Sequence, residues 1–239
     1  MGMFDFIFGG PEKQVLRQCK RVSNKNAQPE DREAAAFWLA ENGGEQAILG
    51  LLGRFEITIE NQMKDLGEKQ VVFDLLEEIG QPVLEPTTTF VKVCKSIAKP
   101  LRLLQEVGGS TVLLKVIYEM LDVEAAKDDF KPLKKRQLLI KLAELKDNGK
   151  IASASRFLQD FDEGVRYAAS ECMLSQESDT AHGPLLAVLA DPEDDSNRLK
   201  IRLAEVFHQR RWDLGEVSEM IAPNPPTGWK VQGNRLVKA

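Results

Sequence analysis

Apolar residues recur along this chain at helical spacing, in short runs cut by glycine, proline or polar stretches. Val15, Leu16, Cys19 and Val22 form the first stripe after Pro11, and Ser23 to Gln28 interrupts it. Pro29-Glu30-Asp31 suits a helix start, because proline needs no donor there and acidic groups favour the N-terminal dipole end. Ala35, Ala36, Leu39 and Ala40 supply an inward face, Asn42-Gly43-Gly44 stops it, and Ala47, Ile48, Leu51, Leu52 and Phe55 give a second helix. Those two segments make one helical hairpin.

The unit returns. Val72, Leu75, Leu76 and Ile79 lead to Gly80, with a second segment from Pro82 through Val91 to Ile97. Leu101, Leu104 and Val107 precede Gly108-Gly109, then Val112, Leu113, Val116, Ile117 and Met120. Leu138, Leu139, Leu142 and Leu145 reach a turn at Asp147-Asn148-Gly149, then Ile151, Phe157 and Leu158. A fifth copy opens at Val165-Arg166 and continues from Pro184 to Leu189; a sixth runs from Arg198 through Phe207, then from Leu214 to Ile221. Comparable positions near Arg32, Lys69, Leu101, Arg136, Arg166 and Arg202 are 37, 32, 35, 30 and 36 residues apart. A period in this range is the mark of a solenoid, in which each unit buries its apolar face on its neighbours.

The expected architecture is all-α: an α-solenoid of about six helix pairs over residues 1–222, forming one continuous domain. From 223 the pattern changes. Pro223, Pro225 and Pro226 cannot continue a helix. Trp229 to Gln232 and Arg235 to Lys238 alternate around Gly233-Asn234, which predicts a short hairpin closing the end of the stack over 223–239.

The run Asp162-Glu163-Gly164-Val165-Arg166-Tyr167-Ala168-Ala169 resembles the Asp-x-x-x-Val-Arg-x-Ala-Ala signature of HEAT repeats, particularly the short bacterial kind named after phycobilisome-lyase-like proteins. Asp31-Arg32-Glu33-Ala34-Ala35 resembles it more weakly, without the valine. The resemblance implies a right-handed stack with second helices lining a concave groove, and it implies that Asp31, Arg32, Asp162, Val165 and Arg166 serve packing between repeats.

Composition changes this picture little. The chain has 239 residues, 43% hydrophobic and 29% charged, which suits a folded protein rather than a disordered one. The net charge of −5 is spread evenly along the chain and weighs against nucleic acid as a partner. Cys19, Cys94 and Cys172 are an odd number at distant positions, which fits reduced thiols and a cytoplasmic location. Met1-Gly2-Met3-Phe4-Asp5-Phe6-Ile7-Phe8 is too short and interrupted for a signal peptide or span, and Phe6 breaks the myristoylation pattern. It is expected to cover the first repeat.

Chemistry is sparse in the sequence. His182 and His208 lack any partner spacing for a metal, and the Gly pairs stand alone at helix boundaries, so no cofactor is implied. Glu77-Glu78 and Asp194-Asp195 read as solvated or helix-start charges. Lys92, Lys95 and Lys99, at i, i+3 and i+7, predict a basic stripe on one helix. If second helices line the groove, Arg54, Lys115 and Arg156 would extend it into a track for an acidic protein partner; the other reading is a solvated face interleaved with Glu56, Glu85 and Glu119. A second basic cluster, Lys131, Lys134, Lys135 and Arg136, is expected at a turn between repeats.

The leading functional expectation is a non-enzymatic scaffold or adaptor that binds a protein or peptide. Two alternatives stay open. One is a HEAT-like alkylpurine DNA glycosylase, echoed only by Trp38, Trp212 and Asp213; the other is a bilin lyase or chaperone, suggested by the family name.

Overall fold

The structure, a computed structural model, describes residues 11–127 and 132–239. The apolar N-terminal segment and Lys131 lie outside the described residues. The described chain is mostly helical, with one small antiparallel sheet near the C-terminus. It divides into two compact units, residues 1–120 and 121–239. That division falls inside the stretch that the repeat pattern treats as continuous.

In the first unit, α1 (Pro11–Val22) packs against α2 (Pro29–Asn42) and α3 (Glu45–Gly53). The α2–α3 turn is made by Gly43 and Gly44, whose φ of 62° and 85° favour glycine, as the glycine pair predicts. Next, α4 (Gln62–Ile79) lies on α2, capped at its start by the Asn61 side chain, which accepts from Lys64 N. Helix α5 (Leu84–Val93) then packs on α3. Leu39, Leu51, Leu52, Phe73, Leu76 and Leu103 are fully buried at the centre of this unit.

The second segment predicted from Pro82 to Ile97 is corrected: α5 ends at Val93, and Cys94 turns to φ −70°, ψ 157°. The cause is Pro100. A helix continuing from Lys92 through Lys99 would set the proline ring against the carbonyl of Ser96 and lose a hydrogen bond. The chain instead starts α6 (Ala98–Ala125), placing Pro100 in the first turn, where proline is tolerated. The break predicted at Gly108-Gly109 takes the form of Gly109 at φ 75° within α6, whose final residues belong to the second unit.

In the second unit, α7 (Leu133–Glu144) and α8 (Lys150–Ser155) both pack against α9 (Glu163–Leu174), and α10 (His182–Ala190) packs on α11 (Asn197–Gln209). Asp162 caps α9 by accepting from Val165 N at 2.9 Å; Ser196 caps α11 by accepting from Leu199 N at 3.1 Å. A one-turn helix, α12 (Ser218–Ile221), leads to the hairpin of β1 (Trp229–Gln232) and β2 (Arg235–Lys238), paired Trp229 to Lys238 through Gln232 to Arg235. Gly233 at φ 59° opens its two-residue turn.

The hairpin is tied to α11, since His208 Nδ1 donates to Leu236 O at 2.9 Å and the His208 and Trp229 rings lie 5.4 Å apart. Trp229 and Leu236 are buried. The hairpin therefore covers the apolar end of α11. Among the described residues, no helix is long and apolar enough to cross a membrane.

Candidate partner-binding surface

The motif arginines turn inward. Arg32, 3% exposed, forks onto the Glu68 carboxylate with two bonds of 2.7 Å and donates to the carbonyls of Asn24 and Ala27 in the loop before its own helix. Arg166 repeats the arrangement 134 positions later. It bonds Asp194 at 2.9 and 3.4 Å, and the carbonyls of Asp160 and Phe161 at 3.1 and 3.2 Å, again in the preceding loop. Lys135 does the same with a point charge, bonding Asp160 at 2.8 Å and the carbonyl of Lys127.

In each case a cation near a helix start ties the incoming loop to a carboxylate 25 to 36 residues further on. Asp162 pairs with Arg136 at 3.6 Å, and Val165 is fully buried. Arg32, Asp162, Val165 and Arg166 are thus engaged inside the fold. Asp31 is exposed.

Arg54 is corrected from surface to core. It is 1% exposed, bonded to Asp65 at 2.8 Å, to Glu68 at 3.1 Å and to Ile57 O. A guanidinium is not desolvated to that extent unless carboxylates and carbonyls accept its hydrogen bonds, and at 1% exposure it is out of a partner's reach. With Arg32, Arg54 and Glu68 border a small cavity of about 200 Å³, walled by Val22, Ala36 and Val72. Arg32 and Arg54 hold the Glu68 carboxyl below its ordinary value through hydrogen bonds, against burial. For Asp65, burial raises the pKa, but bonds from Lys69 and Arg54 outweigh it and the value is lowered.

The basic stripe is dispersed. Lys92 stands on α5, Lys95 in the break, and Lys99 on α6, where its ammonium lies 5.8 Å from the centre of the Phe73 ring. Burial, with Arg102 and Lys69 nearby, lowers the Lys99 pKa. The Lys95 backbone N–H donates to the exposed side of Glu56 at 3.2 Å, so an acidic group sits within the supposed track. Lys115 faces solvent beside Glu119, and Arg156 pairs with Asp122 at 2.8 Å. The periodicity that suggested one helical face fails at the break from Cys94 to Ile97, ahead of Pro100.

The groups set against the glycosylase echo are also placed. Trp212 is buried, its indole N–H bonded to Asp179 at 3.0 Å, with the His182 and Phe207 rings 5.3 and 5.2 Å away. Asp213 accepts from its neighbour Gly215 N at 2.6 Å, and its carbonyl accepts from His182 Nε2. Trp38 packs on the core of the first unit. Burial pushes the Cys172 thiol up to about 12, with a small opposing effect from Lys150.

An open cleft lies in the second unit. It has a volume of about 640 Å³ and runs between the loop after α8 and the loop from α10 to α11. Leu158, Phe161, Pro184, Ala187 and Val188 supply its apolar lining. Asp160, Asp191, Glu193, Asp194 and Asp195 supply five carboxylates, set against the single guanidinium of Arg166.

Phe161 is 80% exposed. Two of the acids are committed to the frame: Asp160 to Lys135, and Asp194, 5% exposed, to Arg166. Asp195 touches Arg166 at 3.3 Å but is 94% exposed. Asp191 accepts from Glu193 N at 2.9 Å, and neither carboxylate has an ion pair among the described residues.

The sequence presents Asp194-Asp195 as solvated or helix-start charge, which suits the exposed Asp195 but not the buried Asp194, and does not single out Phe161. The signals were present, in the acidic run Asp191 to Asp195 and in a phenylalanine lying between Asp160 and Asp162. No pattern in either shows that the two loops face each other across an apolar floor.

Among the described residues, no group of three or more His, Cys, Asp or Glu side chains is placed to hold a metal. The chain matches no family model, no curated protein and no solved structure.

Proposed function

We propose that this chain is a HEAT-like helical-repeat scaffold that binds another protein through the cleft of its second unit. The observation that carries the reading is the cleft itself: an apolar lining with an exposed phenylalanine, between loops that Arg166 and Lys135 tie down. The repeat reading is supported by the positions expected to correspond. At five of the six, Arg32, Lys69, Arg136, Arg166 and Arg202, a cation pairs with a carboxylate, respectively Glu68, Asp65, Asp162, Asp194 and Glu171, the sixth being Leu101. A frame braced in this way suits a protein whose role is to present a surface.

Affinity capture from source-cell lysate tests the proposal, using the intact protein and a Phe161→Ala variant with the same circular dichroism spectrum. Proteins retained by the native chain and lost from the variant support it. An identical set from both overturns the assignment of the cleft.

A further inference from the structure

The cleft's chemistry also specifies its occupant. We infer that it takes an extended, positively charged segment of a partner protein, with Lys or Arg side chains toward the 191–195 wall and an apolar side chain against Phe161; this rests on the protein-binding reading above.

The charge asymmetry comes first. Arg166 is only 12% exposed and already spans Asp194, Asp195 and two carbonyls, so it offers an incoming group little. Asp195 projects into solvent, and the Asp191 and Glu193 carboxylates carry no ion pair among the described residues, Lys200 donating to the Asp191 carbonyl at 2.8 Å instead. Three carboxylates on one short loop therefore repel one another, and a cation brought between them relieves that repulsion as well as gaining attraction.

An acidic segment or a nucleic-acid backbone meets the opposite field, which discriminates against it. The apolar part supplies what charge alone does not. Leu158, Pro184, Ala187 and Val188 form the floor and Phe161 stands beside it, so a buried apolar anchor ringed by charges is the arrangement offered. The guanidinium of an arginine can also lie on the Phe161 ring while its fork meets a carboxylate.

Fluorescence anisotropy provides the first test, with the full chain and two labelled dodecapeptides. One alternates Arg with Leu, and the other replaces every Arg by Glu. The basic probe is expected to bind and the acidic one not. A double variant, Asp191→Lys with Glu193→Lys, is expected to weaken the basic probe by roughly tenfold or more, and Phe161→Ala by several-fold, with both variants folded by circular dichroism. Equal binding of the two probes, or unchanged affinity in both variants, overturns the inference.

A photo-crosslinking residue placed at position 161 in source cells then separates the two readings. Crosslinks to a Lys- or Arg-rich segment support both. Crosslinks to a neutral or acidic protein segment, or to a second copy of this chain at such a segment, overturn the basic-segment inference and leave protein binding standing. Absence of any protein crosslink overturns both.

Discussion

Arg54 and Glu68 show what a single charged residue costs and contributes inside this fold. Arg54 lies in the core of the first unit, bonded to two carboxylates and a carbonyl. Arg54→Met leaves Asp65 paired with Lys69 and Glu68 paired with Arg32, so each carboxylate keeps one cation and loses a charged hydrogen-bond donor. The expected loss is about 1.5–3 kcal/mol in urea unfolding, the range for hydrogen bonds to charged groups. Asp65 and Glu68 are both held below their ordinary pKa in the folded chain. Their contribution is thus present above the usual carboxylate range and is lost as pH falls through the lowered folded values. Acid unfolding is expected to steepen below about pH 4, and Glu68→Gln, less stable at neutral pH, should show a shallower decline; parallel acid limbs would remove this account. Reactivity at Cys172 follows from its pKa of about 12: almost no thiolate forms near neutral pH. Intact-mass analysis of the native protein with N-ethylmaleimide is expected to find Cys19, which is half-buried, modified well before Cys172, and the difference to vanish in urea.

At the scale of the helix, close approach between elements is decided by glycine. A Cβ on Gly50 of α3 would lie 2.2 Å from Cys19 Sγ, 3.0 Å from Cys19 Cβ and 3.3 Å from its Cα. The sulfur can be removed or rotated, but the backbone of α1 cannot yield without moving the helix. Gly50→Ala is expected to cost about 1–3 kcal/mol, and Cys19→Ala in the same chain to recover only part of it, as thermal or urea unfolding of the single and double variants will show. Gly109, at φ 75° in α6, answers to backbone strain instead, since nothing lies within 4 Å of its would-be Cβ; Gly109→Ala is expected to cost about 1–2 kcal/mol. Much at this scale was legible. The stripes Ala35-Leu39, Leu51-Leu52 and Val72-Leu76 are buried where a 3.6-residue period places them, and the Gly43-Gly44 and Gly233-Asn234 turns form where expected. Lys92, Lys95 and Lys99 were misassigned because spacing was given more weight than Pro100, although the proline was in plain view. Arg54 was not legible: its carboxylate partners are 11 and 14 residues away, and only folding makes its charge internal.

Over the whole molecule, a net charge of −5 and the acids of the cleft share one sign, so charge governs approach while the apolar floor governs retention. The net charge and the acidic run are legible in the chain, but the cleft is not, because Arg166 and Asp194 are 28 residues apart and the exposure of Phe161 depends on how two loops are pinned. The division of roles has a kinetic consequence that affinity alone does not reveal. Attraction between opposite charges accelerates encounter and is screened over about 10 Å at 0.1 M salt, whereas contacts at an apolar anchor act after docking. Stopped-flow association of the Arg/Leu probe is therefore expected to slow by about tenfold or more between roughly 0.05 and 0.5 M NaCl, with dissociation changing much less. Asp191→Lys with Glu193→Lys should flatten that salt dependence and lower the association rate, while Phe161→Ala should preserve the dependence and speed dissociation. A salt effect confined to dissociation, or one that the charge reversal leaves untouched, would mean that the 191–195 loop does not steer the partner.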